Sequence, residues 1–129
     1  MRRAKVLTVF LSASLILFGC ASEASKTRAL AERGDSLAQY KLAQILLEGD
    51  AEEQNVEDAL LWYKKAADGG NADAQTKLGH LYVAGDIVQR NYVTAAYWYR
   101  QAARQGHSDA LAEYGDLCYL GYGVPQDYG

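Results

Sequence analysis

Two stretches of the chain repeat one another at a separation of thirty-six residues. The later one runs Ala95-Ala96-Tyr97-Trp98-Tyr99-Arg100-Gln101-Ala102-Ala103-Arg104-Gln105-Gly106, and the earlier one Ala59-Leu60-Leu61-Trp62-Tyr63-Lys64-Lys65-Ala66-Ala67-Asp68-Gly69-Gly70. Trp62 falls on Trp98, Tyr63 on Tyr99, Ala66 and Ala67 on Ala102 and Ala103, and Gly70 on Gly106. A fixed period of this size marks a solenoid, in which each unit buries its apolar face only by stacking on its neighbours, so it decides the fold class before any single motif does. The rest of the chain keeps the register: Ala38, Ala74 and Ala110; Leu42, Leu78 and Tyr114; Gly49, Gly85 and Gly121. The predicted fold is all-α, an α/α solenoid of helix-turn-helix repeats with a 36-residue period.

Each unit reads as two helices. Leu37, Ala38, Leu42, Ile45 and Leu46 have helical spacing over residues 36–48. Asp35 or Ser36 can cap the first amides, and Gly49 ends the helix because glycine takes the left-handed backbone that a helix C-terminus favours. A second helix is predicted over 56–68, stopped at Gly69 and Gly70. The next unit has helices over 74–84, ended by Gly85, and from an Asn91 cap to Arg104, ended by Gly106. The last has one helix over 108–120, ended by Gly121. The predicted core comprises Trp62, Tyr63, Ala66, Ala67, Leu78, Gly79, Tyr82, Trp98, Tyr99, Ala102 and Ala103. Its small residues let backbones approach and its aromatics fill the space between units. Gly79 and Gly115 lie inside helices, where glycine costs about 1 kcal/mol relative to alanine. Their recurrence, with Ala43 as the third counterpart, predicts close helix–helix contact at that position.

The register also sets boundaries: a trimmed cap helix at 28–34, repeats at 35–70 and 71–106, and a partial repeat at 107–129 that stops where its second helix should begin. With so few units the expectation is a marginal monomer, or self-association through the open C-terminal repeat. Residues 1–19 are of another kind. Arg2, Arg3 and Lys5 precede an apolar run over 6–18, the pattern of a secretory signal peptide and too short for a spanning helix. Leu17-Phe18-Gly19-Cys20 resembles the lipobox of bacterial lipoproteins, which implies cleavage before Cys20, acylation of its sulfur and a membrane anchor there; Ala21 after it fits the outer membrane. The expected location is the cell envelope on its periplasmic side, with secretion as the alternative, and residues 20–27 read as a lipidated tether. Removing residues 1–19 leaves ten basic and sixteen acidic side chains, a net charge near −6 with histidine neutral. Such a domain lacks the basic footprint of a nucleic-acid binder.

The pattern Ala74-x-x-x-Leu78-Gly79-x-Leu81-Tyr82-x-x-Gly85, followed by Asn91-Tyr92-x-x-Ala95-x-x-Trp98-Tyr99-x-x-Ala102-Ala103-x-x-Gly106-His107, resembles the Sel1-like repeat of the tetratricopeptide-like solenoids. The third unit's Tyr119-x-Gly121-Tyr122-Gly123-Val124-Pro125-Gln126-Asp127-Tyr128 is similar to that family's loop between helices. The likeness covers residues 28–128. The first unit departs from it at Asp50-Ala51-Glu52-Glu53-Gln54, where a Gly-Val turn is usual. The resemblance implies a non-enzymatic adaptor that holds other proteins in complexes. One branch of the family is linked to β-lactam binding and pairs cysteines across each repeat; this chain has only Cys20 and Cys118, so that reading does not carry over residue by residue.

Motifs for chemistry are sparse. His80 and His107 are the only histidines and do not form a two-histidine helix motif, so no metal or cofactor is predicted. His107 occupies the position of Asn71 and Asp35, a capping position. Asp50 and Asp86 both follow a helix-stopping glycine and read as solvated loop residues. Cys118, on the position of Tyr82, reads as a small buried side chain, with an intermolecular disulfide as the alternative. Ten tyrosines exceed what the core requires. Tyrosine is amphipathic and enriched at interfaces, which makes Tyr40, Tyr119 and Tyr122 candidates for a partner surface on a concave face formed by the first helices. The function expected is a protein–protein scaffold of the cell envelope. A β-lactam-binding or hydrolase-like repeat protein and a glycan- or peptidoglycan-binding envelope protein are the alternatives.

Overall fold

Capping side chains and helix-ending glycines cut the chain into helices of equal length. The structure is a computed structural model, and it describes residues 23–49 and 54–125. The signal segment 1–19, Cys20, the start of the tether and Asp50 lie outside the described residues. Within them are six helices and no strand: α1 over 23–32, α2 (Ser36–Glu48), α3 (Val56–Asp68), α4 (Ala72–Ala84), α5 (Tyr92–Arg104) and α6 (Ser108–Leu120). Each of α2 to α6 starts at a side chain that accepts a backbone N–H three residues on. Asp35 accepts from Ala38 at 2.8 Å, Asn55 from Asp58 at 3.0 Å, Asn71 from Ala74 at 2.8 Å, Asn91 from Thr94 at 3.0 Å, and His107, through Nδ1, from Ala110 at 3.3 Å. These bonds satisfy donors that a helix start leaves orphaned.

The connection from a second helix to the next first helix is very short. Gly34, Gly70 and Gly106 take positive φ of 95°, 88° and 84°, and the residue after each is the next cap. The amides of Asp35, Asn71 and His107 donate back to the carbonyls of Leu30, Ala66 and Ala102, closing the previous helix as they open the next. Connections this short force antiparallel neighbours. Packing then runs from each helix to the next in sequence, α2 on α3, α3 on α4, α4 on α5 and α5 on α6.

The core sits where the second helices turn inward. α3 buries Ala59, Trp62, Tyr63, Ala66 and Ala67, and α5 buries Ala95, Ala96, Trp98, Tyr99 and Ala102, stripes with helical spacing. Ala103 and Tyr82 are half-buried beside them. Leu78 is buried at the centre of α4, and a leucine so placed contributes roughly 1.5–3 kcal/mol of hydrophobic stabilisation. A Cβ built on Gly79 would overlap the Tyr99 ring, so glycine is what lets α4 and α5 approach. Ala43 holds the same position in α2 and is fully buried. Gly115 differs: nothing lies within 4 Å of its Cβ position, so the close contact expected there is absent.

Two further expectations are corrected. Residues 23–27, assigned to the tether, are helical and continue into α1. The segment is short and polar but has no proline or glycine, and its Ala, Glu and Lys favour helix; Lys26 pairs with Glu23 at 3.7 Å, three residues apart. Gly49 does stop α2, but in extended backbone (φ −65°, ψ 167°), not the left-handed form found at Gly85 and Gly121. Its amide still donates to the Ile45 carbonyl at 2.8 Å, and the chain leaves in a different direction.

Candidate functional site

Each second helix packs on the first helices flanking it, so two successive second helices stand apart, with a first helix as the floor between them. The space left is a groove. Between α3 and α5 it measures about 760 Å³. Leu60, Leu61 and Lys64 form one wall; Val93, Tyr97 and Trp98 form the other; Leu78 and Tyr82 of α4 form the floor, and Val88 of the loop before α5 closes one end. The groove recurs with the period of the chain. Thirty-six residues earlier, Ala24, Arg28, Leu42 and Leu46 of α1 and α2 line a groove of about 550 Å³. Thirty-six residues later, Ala96, Tyr97, Arg100, Tyr114 and Val124 line one of about 250 Å³. Leu60, Lys64, Leu78 and Val88 of the central groove correspond to Ala96, Arg100, Tyr114 and Val124 of the last.

The sequence builds this surface by making the second helices apolar on more than the core stripe. In Leu60-Leu61-Trp62-Tyr63 the last two residues turn inward, while Leu61 stays 51% exposed; at the equivalent position Tyr97 is 49% exposed. The Tyr97 ring meets the edge of Trp98 at 4.9 Å and extends the apolar wall outward. Lys65 lies over Trp62 at 4.3 Å, a cation–π contact that covers that indole. Its equivalent, Gln101, carries no charge, and Trp98 remains part of the groove wall.

The residues named from sequence as a partner surface do not gather in a groove. Tyr40 packs its ring on Tyr63 at 5.8 Å, and its hydroxyl accepts from Gln44 at 3.2 Å. Tyr122, in the turn after α6, stacks on Tyr92 at 4.8 Å. Tyr119 is 84% exposed near the end of α6. None of the three lines one of the three grooves. Burial and the neighbouring Tyr40 and Glu48 push the Tyr63 hydroxyl well above its ordinary value, and burial and Glu113 do the same to Tyr99. Both hydroxyls are buried without a hydrogen-bond partner, so neither is placed to exchange a proton.

The other candidate groups are structural. His107 Nε2 lies 3.0 Å from the Asp73 carboxylate and its Nδ1 accepts from the Ala110 amide, which ties α4 to the start of α6. His80 Nε2 lies 3.9 Å from Glu113. Asp86 accepts from the amide of Ile87 within its own loop. Cys118 is a free thiol and only half-buried: among the described residues α6 packs on α5, whereas α4 lies between α3 and α5. Among the described residues no group of three or more His, Cys, Asp or Glu could hold a metal ion.

Sequence reasoning missed a buried polar ladder. Gln39 Nε2 donates to the Ala31 carbonyl and Gln75 Nε2 to the Ala67 carbonyl, both at 3.0 Å and buried. Gln105 Nε2 donates to Gln75 Oε1 at 3.0 Å. Gln39 and Gln75 are thirty-six residues apart, so the signal was in the register; glutamine was simply not counted as a core residue.

Comparison with known proteins agrees with this architecture. The Sel1 repeat family matches the chain over residues 36–71, 72–107 and 108–129. The crystal structure of a Sel1 repeat protein from Oxalobacter formigenes superposes with a TM-score of 0.75 at 36% sequence identity, covering 80% of this chain and 77% of that one. A protective antigen present in uropathogenic Escherichia coli strains, displaying an SLR fold, superposes with a TM-score of 0.74 at 30% identity. That likeness covers 81% of this chain, which spans only 22% of the antigen. No curated protein matches the chain. The repeat matches and the structural likeness agree on one assignment: this chain belongs to the Sel1 repeat family.

Proposed function

We propose that this protein is a non-enzymatic scaffold of the bacterial cell envelope, held at the membrane through Cys20, that docks a partner protein in the grooves between its second helices. Sel1 repeat proteins generally mediate protein–protein interaction. The observation that carries the reading here is the central groove: Leu61 and Tyr97 stand half-exposed on opposite walls of an apolar trough that recurs at the repeat period. An apolar trough with one aromatic wall suits anchor side chains of a partner. This moves the proposed surface from the first helices, where the tyrosines pointed, to the second. The envelope location rests on the basic and apolar leader and on the lipobox-like Leu17-Phe18-Gly19-Cys20.

Site-specific photo-crosslinking in intact cells tests the reading. A photoreactive side chain at Leu61 or Tyr97 is expected to capture a discrete protein, and the same group at Tyr40 on α2 is not. Capture from Tyr40 alone would return the surface to the first helices. Fractionation of the same cells reports on the anchor, since Cys20→Ser should release the chain from the membrane fraction.

A further inference from the structure

The three grooves share one charged position. Arg28 lies in the first, Lys64 in the second and Arg100 in the third, each on the wall formed by a second helix and each thirty-six residues from the next. All three are exposed. Among the described residues none of them forms an ion pair. The acidic groups near the grooves do not repeat in this way. Glu57 lines the central groove, but Val93 holds its position one unit later. Asp58 lines the first groove, is engaged by the Asn55 amide at 3.1 Å, and is replaced by Thr94. On a chain whose net charge is negative, a basic side chain at one position of three successive grooves is a patterned exception.

From this row we infer that the partner segment is acidic: a stretch of another protein lying across the second helices, with apolar side chains entering the grooves and carboxylates meeting Arg28, Lys64 and Arg100. The inference rests on the groove reading and adds the chemistry of its occupant. Apolar anchors supply most of the affinity, because the groove walls are where water is displaced. The basic row, exposed and repeated, sets which segments are accepted and in which register. Glu57 lies seven residues before Lys64 on α3, about 10 Å along the helix axis. The central groove is therefore negative at one end and positive at the other, and the partner's carboxylates belong at the Lys64 end.

A displayed library of random peptides, selected on the full chain, tests this. The expected outcome is selected peptides that combine Leu or aromatic residues with Asp or Glu. Their affinity should fall about tenfold on Lys64→Glu with Arg100→Glu, and selection on that charge-reversed protein should enrich Lys and Arg instead. A reversal of preference cannot arise from a misfolded variant. Peptides lost on Leu61→Ser and Tyr97→Ser but without acidic bias would overturn the inference and leave the groove reading intact. Peptides insensitive to both sets of substitutions would overturn the two together.

Discussion

α4 and α6 are the same helix written twice, thirty-six residues apart, and the structure treats them differently. α4 buries Ala74, Gln75, Thr76, Leu78, Gly79 and Leu81; α6 buries only Ala110 and Leu117. α4 lies between α3 and α5, whereas among the described residues α6 packs on α5. Position by position the consequences follow. Gly79 sits under the Tyr99 ring, and Gly115 has open space. Gln75 donates to a buried carbonyl, while its counterpart Leu111 is 52% exposed. Leu78 is buried, and Tyr114 is only partly buried. The repeat pattern marks which positions can be buried; the neighbour decides which are.

The largest expected contrast lies at the floor of the grooves. Leu78→Ala removes a buried side chain from between two helices and should destabilise the protein by about 2–5 kcal/mol. Tyr114→Ala, at the equivalent position of α6, should cost less, because that ring is only partly buried. Urea unfolding of the two variants measures the difference. Equal losses would mean that α6 is covered as completely as α4, and the comparison would collapse.

The two glycines give a contrast of sign. Gly79→Ala places a methyl group against the Tyr99 ring, and overpacking of this kind costs roughly 1–3 kcal/mol, more than the gain in helix propensity of about 1 kcal/mol. Gly115→Ala meets nothing and keeps only the gain, so it should stabilise the fold by about 0.5–1 kcal/mol. Shifts in thermal midpoint in opposite directions are expected. A destabilising Gly115→Ala would place a neighbour on α6.

Much of the fold was legible because it depends on local chemistry repeated in register. The caps Asp35, Asn71 and Asn91 and the stops Gly70, Gly85 and Gly106 act through backbone bonds only a few residues away, and the period multiplies the signal. The stop at Gly49 was legible as a stop but not in its extended geometry, because a glycine accepts either sign of φ and its identity alone does not choose between them. The candidate site was harder to read. Leu60-Leu61-Trp62-Tyr63 looks uniformly apolar in sequence, and only the placement of α5 beside α3 shows that Leu61 faces outward while Trp62 and Tyr63 face the core. The tyrosines drew attention to the first helices because their composition was unusual. Composition does not report that Tyr40 is already engaged by Tyr63 and Gln44.

The finest test of the comparison concerns hydroxyl groups. Tyr99 is wholly enclosed and its hydroxyl has no partner, whereas Tyr114 is only partly buried. A buried donor left unpaired costs about 1–3 kcal/mol, so Tyr99→Phe should leave stability unchanged at neutral pH or raise it by about 1 kcal/mol. Tyr114→Phe should give no such gain. Alkaline titration adds an independent readout. The Tyr99 hydroxyl is held above its ordinary value of 10 by burial and by Glu113. Above pH 10 the unfolded chain therefore releases a proton that the folded chain retains, so stability is full below that pH and falls as pH rises past it. Tyr99→Phe removes one ionising group from the unfolded state and should make the decline shallower, by up to about 1.4 kcal/mol per pH unit. Tyr63, buried in the same way in the preceding unit, should behave alike. An unchanged alkaline slope in both variants would mean that these hydroxyls reach water, and that the enclosed interior of the α4–α5 unit differs less from α6 than its burial pattern indicates.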